Sequence, residues 1–165
     1  MAAAEVRGAA LPRLRAAARV PALAILCWAS SACSRTDAWV DPRTGIVGTS
    51  GPLDLAGRPH GEWTAWYADG EVRERGEYVH GRRQGRFVQW YPEGQRHSEG
   101  ERRFDAQARA SLREGPWRFW YANGLLRGVG SYEAGRPEGK WTWWNHEGVL
   151  DARRSGIYRD GERVE

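Results

Sequence analysis

Histidine and cysteine are common metal ligands in proteins, but their spacing in this chain argues against a metal site. The four histidines are His60, His80, His97 and His146. None of them has a second histidine three or four residues away, and no cysteine lies nearby. We therefore predict no metal-binding residues and expect the histidines to be solvated turn residues.

Acidic residues are numerous, but they do not form a recognisable catalytic pair. Seven of them fall in or beside sequence turns: Glu62, Asp69, Glu77, Glu93, Glu114, Glu138 and Glu147. Turns favour acidic residues, whereas a glycosidase needs two carboxyl groups held across a cleft. The chain also lacks a G-x-S-x-G motif, an H-E-x-x-H motif and a phosphate-binding glycine loop. We therefore expect no catalytic residues, no cofactor, no small-molecule substrate and no enzymatic activity.

The N-terminal part has the features of an export signal. Residues 20–29 are mainly apolar and are followed by the small residues Ser30, Ser31 and Ala32. A basic start precedes them, made of Arg7, Arg13, Arg15 and Arg19. So short an apolar run is insufficient to span ~30 Å of hydrocarbon. Residues 1–32 are therefore predicted to be a signal peptide that is removed by cleavage.

The two cysteines give this signal a more specific form. Cys27 lies inside the apolar run, and Cys33 directly follows the small residues. The arrangement resembles a bacterial lipoprotein signal, which implies that Cys33 becomes the first residue of the mature chain and carries lipid. That resemblance implies a membrane anchor and a place in the cell envelope, facing the periplasm. Ser30 departs from the pattern, which prefers leucine there, so cleavage after Ala32 without lipidation is the alternative.

The charge of the chain is nearly balanced once the signal is removed. The whole sequence has 25 Lys and Arg residues against 21 Asp and Glu residues. Residues 1–32 contain four arginines and one glutamate, so 21 basic and 20 acidic residues remain. Arg and Glu are interspersed, as in residues 71–75, whereas nucleic-acid binding needs a basic stripe. We therefore expect no nucleic-acid partner.

Aromatic residues and glycines recur at a fixed spacing through the rest of the chain. Units begin at Gly61, Gly85, Gly115 and Gly139, which are 24, 30 and 24 residues apart. The repeated aromatic residues are Trp63, Trp66, Tyr67, Phe87, Trp90, Tyr91, Trp117, Trp120, Tyr121, Trp141 and Trp144. Self-similarity at such a period is typical of repeat architectures.

Each unit is predicted to fold as a β-hairpin. Aromatic residues favour a half-buried strand, and a glycine follows each aromatic run at a hairpin turn. These turn glycines are Gly70, Gly94, Gly124 and Gly148. A second turn, predicted over residues 133–138 in the third unit, returns the chain to the next hairpin.

Alternation along the strand predicts which side chains share a face. Trp117, Phe119 and Tyr121 are expected on one face and Trp120 on the other. Trp120 and its equivalents in the other units would then form a column. Tyr78, Tyr132 and Tyr158 are expected to lie between the members of that column, on the intervening strands.

The spacing G-x-W-x-x-W-Y-x-x-G, followed by G-x-Y-x-x-G-x-x-x-G, resembles the MORN-variant repeat, whose bacterial members are often grouped as YwqK-type antitoxins. The resemblance covers residues 55–165. The fold class is therefore predicted to be all-β: an elongated antiparallel β-meander of tandem ~24-residue β-hairpin repeats, with about nine or ten strands. A single unit should not fold alone, so stacked neighbours must complete it.

The predicted repeat domain covers residues 54–165, and residues 33–53 are assigned to the lipid-attachment cysteine and a linker. This segment is rich in turn residues and weakly apolar, which favours a tether. Residues 38–40 and 46–47 are more apolar, and they could instead form an initial hairpin that caps the edge of the sheet.

Two departures from the repeat suggest partner contacts. Residues 104–113 contain a six-residue expansion, and insertions in repeat proteins often map to the binding face. Residues 106–112 favour a short helix over the sheet, with Phe104 and Leu112 facing inward. Trp143, beside Trp141, either packs over its neighbour or presents an exposed indole to a partner. Phe104, Leu112 and Trp143 are therefore the candidate partner contacts.

The predicted function is non-catalytic binding. The chain is expected to be a repeat-scaffold lipoprotein that binds another protein or an envelope component through its aromatic sheet surface. The family resemblance implies an alternative, an antitoxin or immunity protein that neutralises a toxin by direct binding. A third possibility, an enzyme acting on envelope glycans, has no supporting residue pattern.

Overall fold

The computed structural model describes residues 35–40 and 47–165. The signal peptide assigned to residues 1–32 and the lipidation assigned to Cys33 lie outside the described residues. The described secondary structure consists of β-strands. They are β1 (Arg35–Val40), β2 (Val47–Leu53), β3 (Gly61–Trp66), β4 (Val72–Val79), β5 (Arg82–Trp90), β6 (Arg96–Asp105), β7 (Ala110–Trp120), β8 (Leu126–Glu133), β9 (Arg136–Trp143), β10 (Gly156–Arg159) and β11 (Glu162–Arg163).

The eleven strands form one sheet in sequence order, and each strand pairs antiparallel with its neighbours in the chain. The predicted all-β antiparallel meander of hairpin repeats is therefore confirmed. The strand number is slightly higher than expected because β1 and β2 precede the first repeat. No helix in the described part of the chain is long and apolar enough to cross a bilayer.

A three-residue turn joins the two strands of each repeat hairpin. In the third unit, the Tyr121 N–H donates to the Leu125 carbonyl and the Gly124 N–H donates to the Tyr121 carbonyl, both at 2.9 Å. Gly124 has a φ of 83°, a left-handed conformation that glycine adopts without a Cβ penalty. Gly70, Gly94 and Gly148 stand at the same point of their turns and also have positive φ.

The return turns between units are shorter than predicted. Glu133 pairs with Arg136, so the turn contains only Ala134 and Gly135. Their φ values are 46° and 83°, as in the type I′ turns whose twist suits a β-hairpin. The prediction of a turn over residues 133–138 is therefore wrong, because residues 136–138 already belong to β9.

The sheet also begins earlier than predicted. Residues 35–40 and 47–53 pair as β1 and β2, which corrects the linker assigned to residues 33–53 and agrees with the alternative of an initial hairpin. Trp63 holds β2 against β3: its indole lies against Gly51, and its Nε1 donates to the Pro52 carbonyl at 2.8 Å. Backbone supplies these contacts, so the low apolar content of the segment concealed them.

The expansion at residues 104–113 lengthens a hairpin and does not form the predicted helix. β6 and β7 continue to pair as far as Asp105 and Ala110. The Asp105 carboxylate then closes the turn by accepting the N–H groups of Gln107 and Ala108 at 2.8 and 2.7 Å. Continued strand pairing therefore overrides the local helix preference of residues 106–112.

Candidate functional site

The first aromatic residue of each repeat lies over a glycine of the preceding strand, and these rings define what we call the aromatic face of the sheet. Trp63 lies over Gly51, Phe87 over Gly76, Trp117 over Gly100 and Trp141 over Gly130. A Cβ atom at any of these glycines would overlap the ring. Trp117 and Trp141 are 2% and 0% exposed, so the face is tightly packed although a single sheet builds it.

Indole hydrogen bonds hold the tryptophans of this series in place. The Trp117 Nε1 donates to the Glu101 carbonyl at 3.0 Å, and the Trp141 Nε1 donates to the Ser131 carbonyl at 2.9 Å. The acceptor is each time the residue directly after the glycine under the ring. These bonds satisfy the buried indole N–H groups, so each ring is fixed in both position and orientation.

Tyrosines fill the spaces between these rings. Tyr78 contacts Trp63 and Phe87 edge-on, with centroid distances of 6.2 and 5.8 Å. Tyr132 lies similarly between Trp117 and Trp141, at 6.1 and 5.0 Å. Tyr158 follows, with its ring 6.4 Å from Trp141.

This arrangement corrects one prediction about the faces. Tyr78, Tyr132 and Tyr158 contact the rings of the aromatic face. They do not lie between Trp66 and its equivalents, as was predicted. The register shift between Phe119 and Trp120 comes from β8, where Arg127 is the extra residue. The Arg127 guanidinium lies 5.7 Å from the Tyr121 ring centroid.

The second aromatic pair of each unit links neighbouring repeats. The Tyr67 hydroxyl donates to the Trp90 carbonyl at 2.8 Å. Tyr91 donates in the same way to Trp120 at 3.0 Å, and Tyr121 donates to Trp144 at 2.8 Å. Each bond joins one unit to the next. Trp66, Trp90, Trp120 and Trp144 are half-buried.

Asn145 occupies the position that a tyrosine holds in the other three units. Its Oδ1 accepts the N–H groups of Glu147 and Val149 at 3.0 and 2.9 Å. The side chain thus stabilises the turn of its own unit, and it does not reach across to a following one.

Arginines cover the aromatic rings in the centre of the sheet. Arg102 lies between two rings, 5.6 Å from the Phe87 centroid and 5.9 Å from that of Trp117. Arg83 is 5.6 Å from Phe87, and Arg113 is 4.8 Å from Trp117. Guanidinium groups within ~6 Å of a ring face are attracted by its quadrupole. We call Arg83, Arg102 and Arg113 the arginine cluster.

The arginine cluster is only partly neutralised by acidic residues. Arg83 bonds Glu74 at 2.8 Å and the Tyr78 hydroxyl at 3.0 Å. Burial would lower the pKa of Arg83, but these two partners outweigh it and the pKa is raised. Burial lowers the pKa of Arg102, and the positive charges of Arg83 and Arg113 lower it further. The three cations therefore repel one another across the face.

The opposite face of the sheet, which we call the ion-pair face, has a different charge pattern. Glu99 is close to three arginines, Arg96 at 2.8 Å, Arg118 at 3.4 Å and Arg86 at 3.7 Å. Exposed pairs of this kind contribute little stability, but they balance charge locally. Positive charge thus accumulates on the aromatic face and is neutralised on the other.

The predicted partner contacts lie on different parts of the sheet, Phe104 on β6, Leu112 on β7 and Trp143 on β9. Trp143 is half-buried and stacks on Trp141, with centroids 5.1 Å apart and an interplanar angle of 12°. Phe104 lies under the Arg82 guanidinium, 3.8 Å from its ring centroid, in the lengthened β6–β7 hairpin. Leu112 belongs to the same hairpin and lines a cavity of about 280 Å³ near the return turns. These residues therefore do not form one contact surface.

Sequence reasoning missed the arginine cluster, although one signal was present. In the paired strands, Tyr78 lies opposite Gly61 and Tyr132 opposite Gly115. Arg102 lies opposite Gly85 in the same way. Aligning the units on their first glycine therefore leaves an arginine at a tyrosine position.

Acidic and histidine side chains form pairs and small networks on this scaffold. Asp54 accepts a hydrogen bond from the ring of His80 at 2.7 Å and forms an ion pair with Arg58 at 2.8 Å. The bond to His80, followed by those from Arg58, lowers the pKa of Asp54. Within residues 35–40 and 47–165, no three His, Cys, Asp or Glu side chains converge in a way that could hold a metal ion.

Comparison with known proteins supports the repeat architecture. A family described as MORN repeat variant matches residues 59–80 and 113–134. These segments contain the hairpins of the first and third units, which keep the tyrosine at position 78 or 132. No curated protein matches the chain. The two unmatched units are those with Arg102 and Asn145, so the match is limited to the regular repeats.

Proposed function

We propose that this protein is a non-catalytic repeat scaffold that binds another protein or an envelope component through its aromatic face. One observation carries the proposal: all described elements belong to one sheet, so within that part of the chain no second layer covers the face. Its rings are nevertheless held in fixed positions by glycine contacts and indole bonds. A rigid surface loses little conformational entropy when a partner binds.

The acidic residues of the sheet support a non-catalytic role. Glu74, the carboxylate on the aromatic face beside the arginine cluster, accepts bonds from Arg83 and Gln89, both at 2.8 Å. Glu99 on the other face is held by three arginines. Both carboxylates are thus taken up by contacts within the sheet, whereas a catalytic acid has to reach its substrate.

The sequence supports a membrane-anchored location for this scaffold. We propose export, cleavage after Ala32 and lipid attachment at Cys33, with the sheet facing the periplasm. The intact mass of protein recovered from membrane and soluble fractions would test this directly. The wild type should begin at a lipidated Cys33, and Cys33→Ser should lose membrane attachment. A soluble chain that begins at Met1 would overturn the anchor and favour the antitoxin alternative.

Site-specific photo-crosslinking in the native host tests the binding role. Ser111 pairs with Phe104 and alternates with Arg113 on β7, which places it at the margin of the aromatic face. Lys140 is an exposed residue of the ion-pair face on β9. A photoreactive residue at position 111 should give a discrete adduct, while the same residue at position 140 should give none. Equal adducts from the two positions, or adducts from position 140 alone, would contradict the proposal.

A further inference from the structure

We infer that the arginine cluster binds an acidic, extended segment of the partner protein through paired guanidinium and carboxylate groups. The inference rests on the proposed function, because it names the kind of partner that the aromatic face accepts. It starts from the second repeat unit, in which two departures from the repeat occur together. Arg102 replaces the tyrosine, and the six-residue expansion lengthens the adjoining hairpin.

The arginine cluster is unfavourable for the isolated sheet. Arg102 and Arg113 are directly opposite each other on β6 and β7. Like charges in this cross-strand relation destabilise a sheet. A tyrosine at position 102 would avoid the repulsion, as Tyr132 does in the third unit. Locally unfavourable choices of this type are expected where a residue serves binding.

Two arginines of the cluster keep hydrogen-bonding capacity for a ligand. Arg102 donates from Nη1 to the Ser111 carbonyl at 3.1 Å, and Arg113 donates from Nη1 to the Tyr132 hydroxyl at 3.1 Å. Both acceptors are neutral, and in the described part of the chain only Arg83 of the three has a carboxylate partner. A guanidinium group has five N–H donors. Arg102 and Arg113 therefore retain both charge and donors for a ligand.

The packing around the arginine cluster indicates the chemistry of the ligand. Bases of single-stranded nucleic acid bind by stacking on exposed aromatic rings. Trp117 and Phe119 are 2% and 6% exposed, and Arg113 lies over both. Neither of these two rings therefore has a face open for stacking. The planar fork of arginine instead matches the two oxygens of a carboxylate.

The spacing of the cluster favours an extended peptide. Arg83, Arg102 and Arg113 lie on β5, β6 and β7, which are consecutive strands with ~4.8 Å between neighbours. Side chains on one side of an extended chain repeat about every 6.6 Å. A segment that crosses the strands with acidic residues at alternate positions can therefore place a carboxylate near each of two or three guanidinium groups.

The test is fluorescence anisotropy with the full chain and a fluorescein-labelled peptide of alternating Glu and Ser. A peptide of alternating Gln and Ser is the neutral control. Arg102→Tyr is the key variant, because it installs the residue that the other units carry and should therefore fold. Arg118→Gln removes one positive charge from the ion-pair face and is the matched control. We expect the Glu peptide to bind more tightly than the Gln peptide.

Arg102→Tyr should weaken binding of the Glu peptide by about tenfold, since it removes a charge-assisted contact. Arg118→Gln should change the affinity by less than about twofold, because long-range charge effects are screened by salt. Equal binding of the two peptides would overturn the inference. An equal loss in the two variants would also overturn it, because general electrostatic attraction would then suffice.

Two further outcomes would replace the acidic peptide with another ligand. Tighter binding of a single-stranded oligonucleotide or of inorganic phosphate, with the same dependence on Arg102, would identify a phosphate site. Self-association of the chain that Arg102→Tyr abolishes would identify a second copy as the occupant. The two proposals can fail separately. If position 111 still crosslinks a partner in the Arg102→Tyr background, the binding role of the aromatic face stands and the acidic segment is excluded.

Discussion

The second and third repeat units share one frame, made of glycine contacts and tyrosine hydrogen bonds, but differ in the residue that lies between two rings of the aromatic face. In each unit a ring, Phe87 or Trp117, lies over a glycine of the preceding strand. In each unit a tyrosine hydroxyl reaches a carbonyl of the next unit. The third unit then places Tyr132 between two rings, whereas the second places Arg102 there.

This difference separates the residues that hold the sheet from a residue that is free to vary. The glycine contact and the tyrosine bond occur in both units, so the sheet depends on them. The position between the rings accepts either an aromatic side chain or a guanidinium group, since both can pack against a ring face. The frame can therefore carry a binding residue without losing its packing.

The largest predicted effect comes from filling the space beneath a ring of the frame. Gly130→Val would place methyl groups where the Trp141 indole lies. Overpacking of a fully buried site should destabilise the domain by about 3 kcal/mol or more, measured by urea denaturation. Ser131→Val, the next residue on the ion-pair face, should change stability by less than ~0.5 kcal/mol. Similar midpoints for the two variants would contradict the shared frame.

A substitution in a hairpin turn should destabilise the domain less than one in the core. Gly124 has a φ of 83° and open space where a Cβ would lie, so Gly124→Val introduces backbone strain without a clash. The expected cost is about 2 kcal/mol in the same denaturation experiment. Ala122→Val, in the exposed part of the same turn, is the control. A Gly124 variant as stable as wild type would refute the left-handed turn.

The bond between units should contribute a smaller amount. Tyr91→Phe removes the hydroxyl that donates to the Trp120 carbonyl, with an expected loss of about 1 kcal/mol. Tyr158→Phe removes a hydroxyl that bonds the Arg154 carbonyl at an exposed site within one unit, so its loss should be smaller. If the two variants unfold at the same denaturant concentration, the link between units has no special role.

The smallest effect is a pH dependence that belongs to the second unit. His97 is the extra residue of the β-bulge at this hairpin, where the third unit has Arg127. Burial, and then the charges of Arg127 and Arg113, lowers the pKa of His97. The unfolded chain therefore takes up a proton at higher pH than the folded one, so stability should fall as the pH drops below about 6.5.

His97→Gln should flatten this dependence, measured as the unfolding midpoint between about pH 7 and pH 5. His146→Gln, at an exposed turn, should leave the slope unchanged. The change of stability with pH should be small because the His97 ring is partly exposed. A slope that survives in His97→Gln would assign the pH dependence to another group.

Much of the fold was predictable because its signals are local. Hairpin turns require glycine at fixed points, so Gly70 and its equivalents marked the repeat and its hairpins. The faces were less predictable, because bulges add an extra residue to one strand of a pair, as Arg127 does in β8. The strand β2 was concealed because Gly51 contributes space for a ring and not apolar surface of its own.

The candidate site was harder to predict than the fold. Arg102 and Arg113 are 11 residues apart in sequence and meet only because the β6–β7 hairpin pairs them. Interspersed Arg and Glu in the sequence suggested balanced charge. Alternation along the strands instead places the arginine cluster and Glu99, with its three arginines, on different faces. The sequence therefore indicated an aromatic surface but not its charge.

The most direct test of this account is the free energy of unfolding of Arg102→Tyr. We propose that Arg102 serves binding at a position where the frame prefers tyrosine. The variant should therefore be at least as stable as wild type, with a gain of about 0.5–1.5 kcal/mol from restored aromatic contacts and relief of like-charge repulsion. A loss of about 1 kcal/mol or more would show that Arg102 is part of the frame, and would contradict the account.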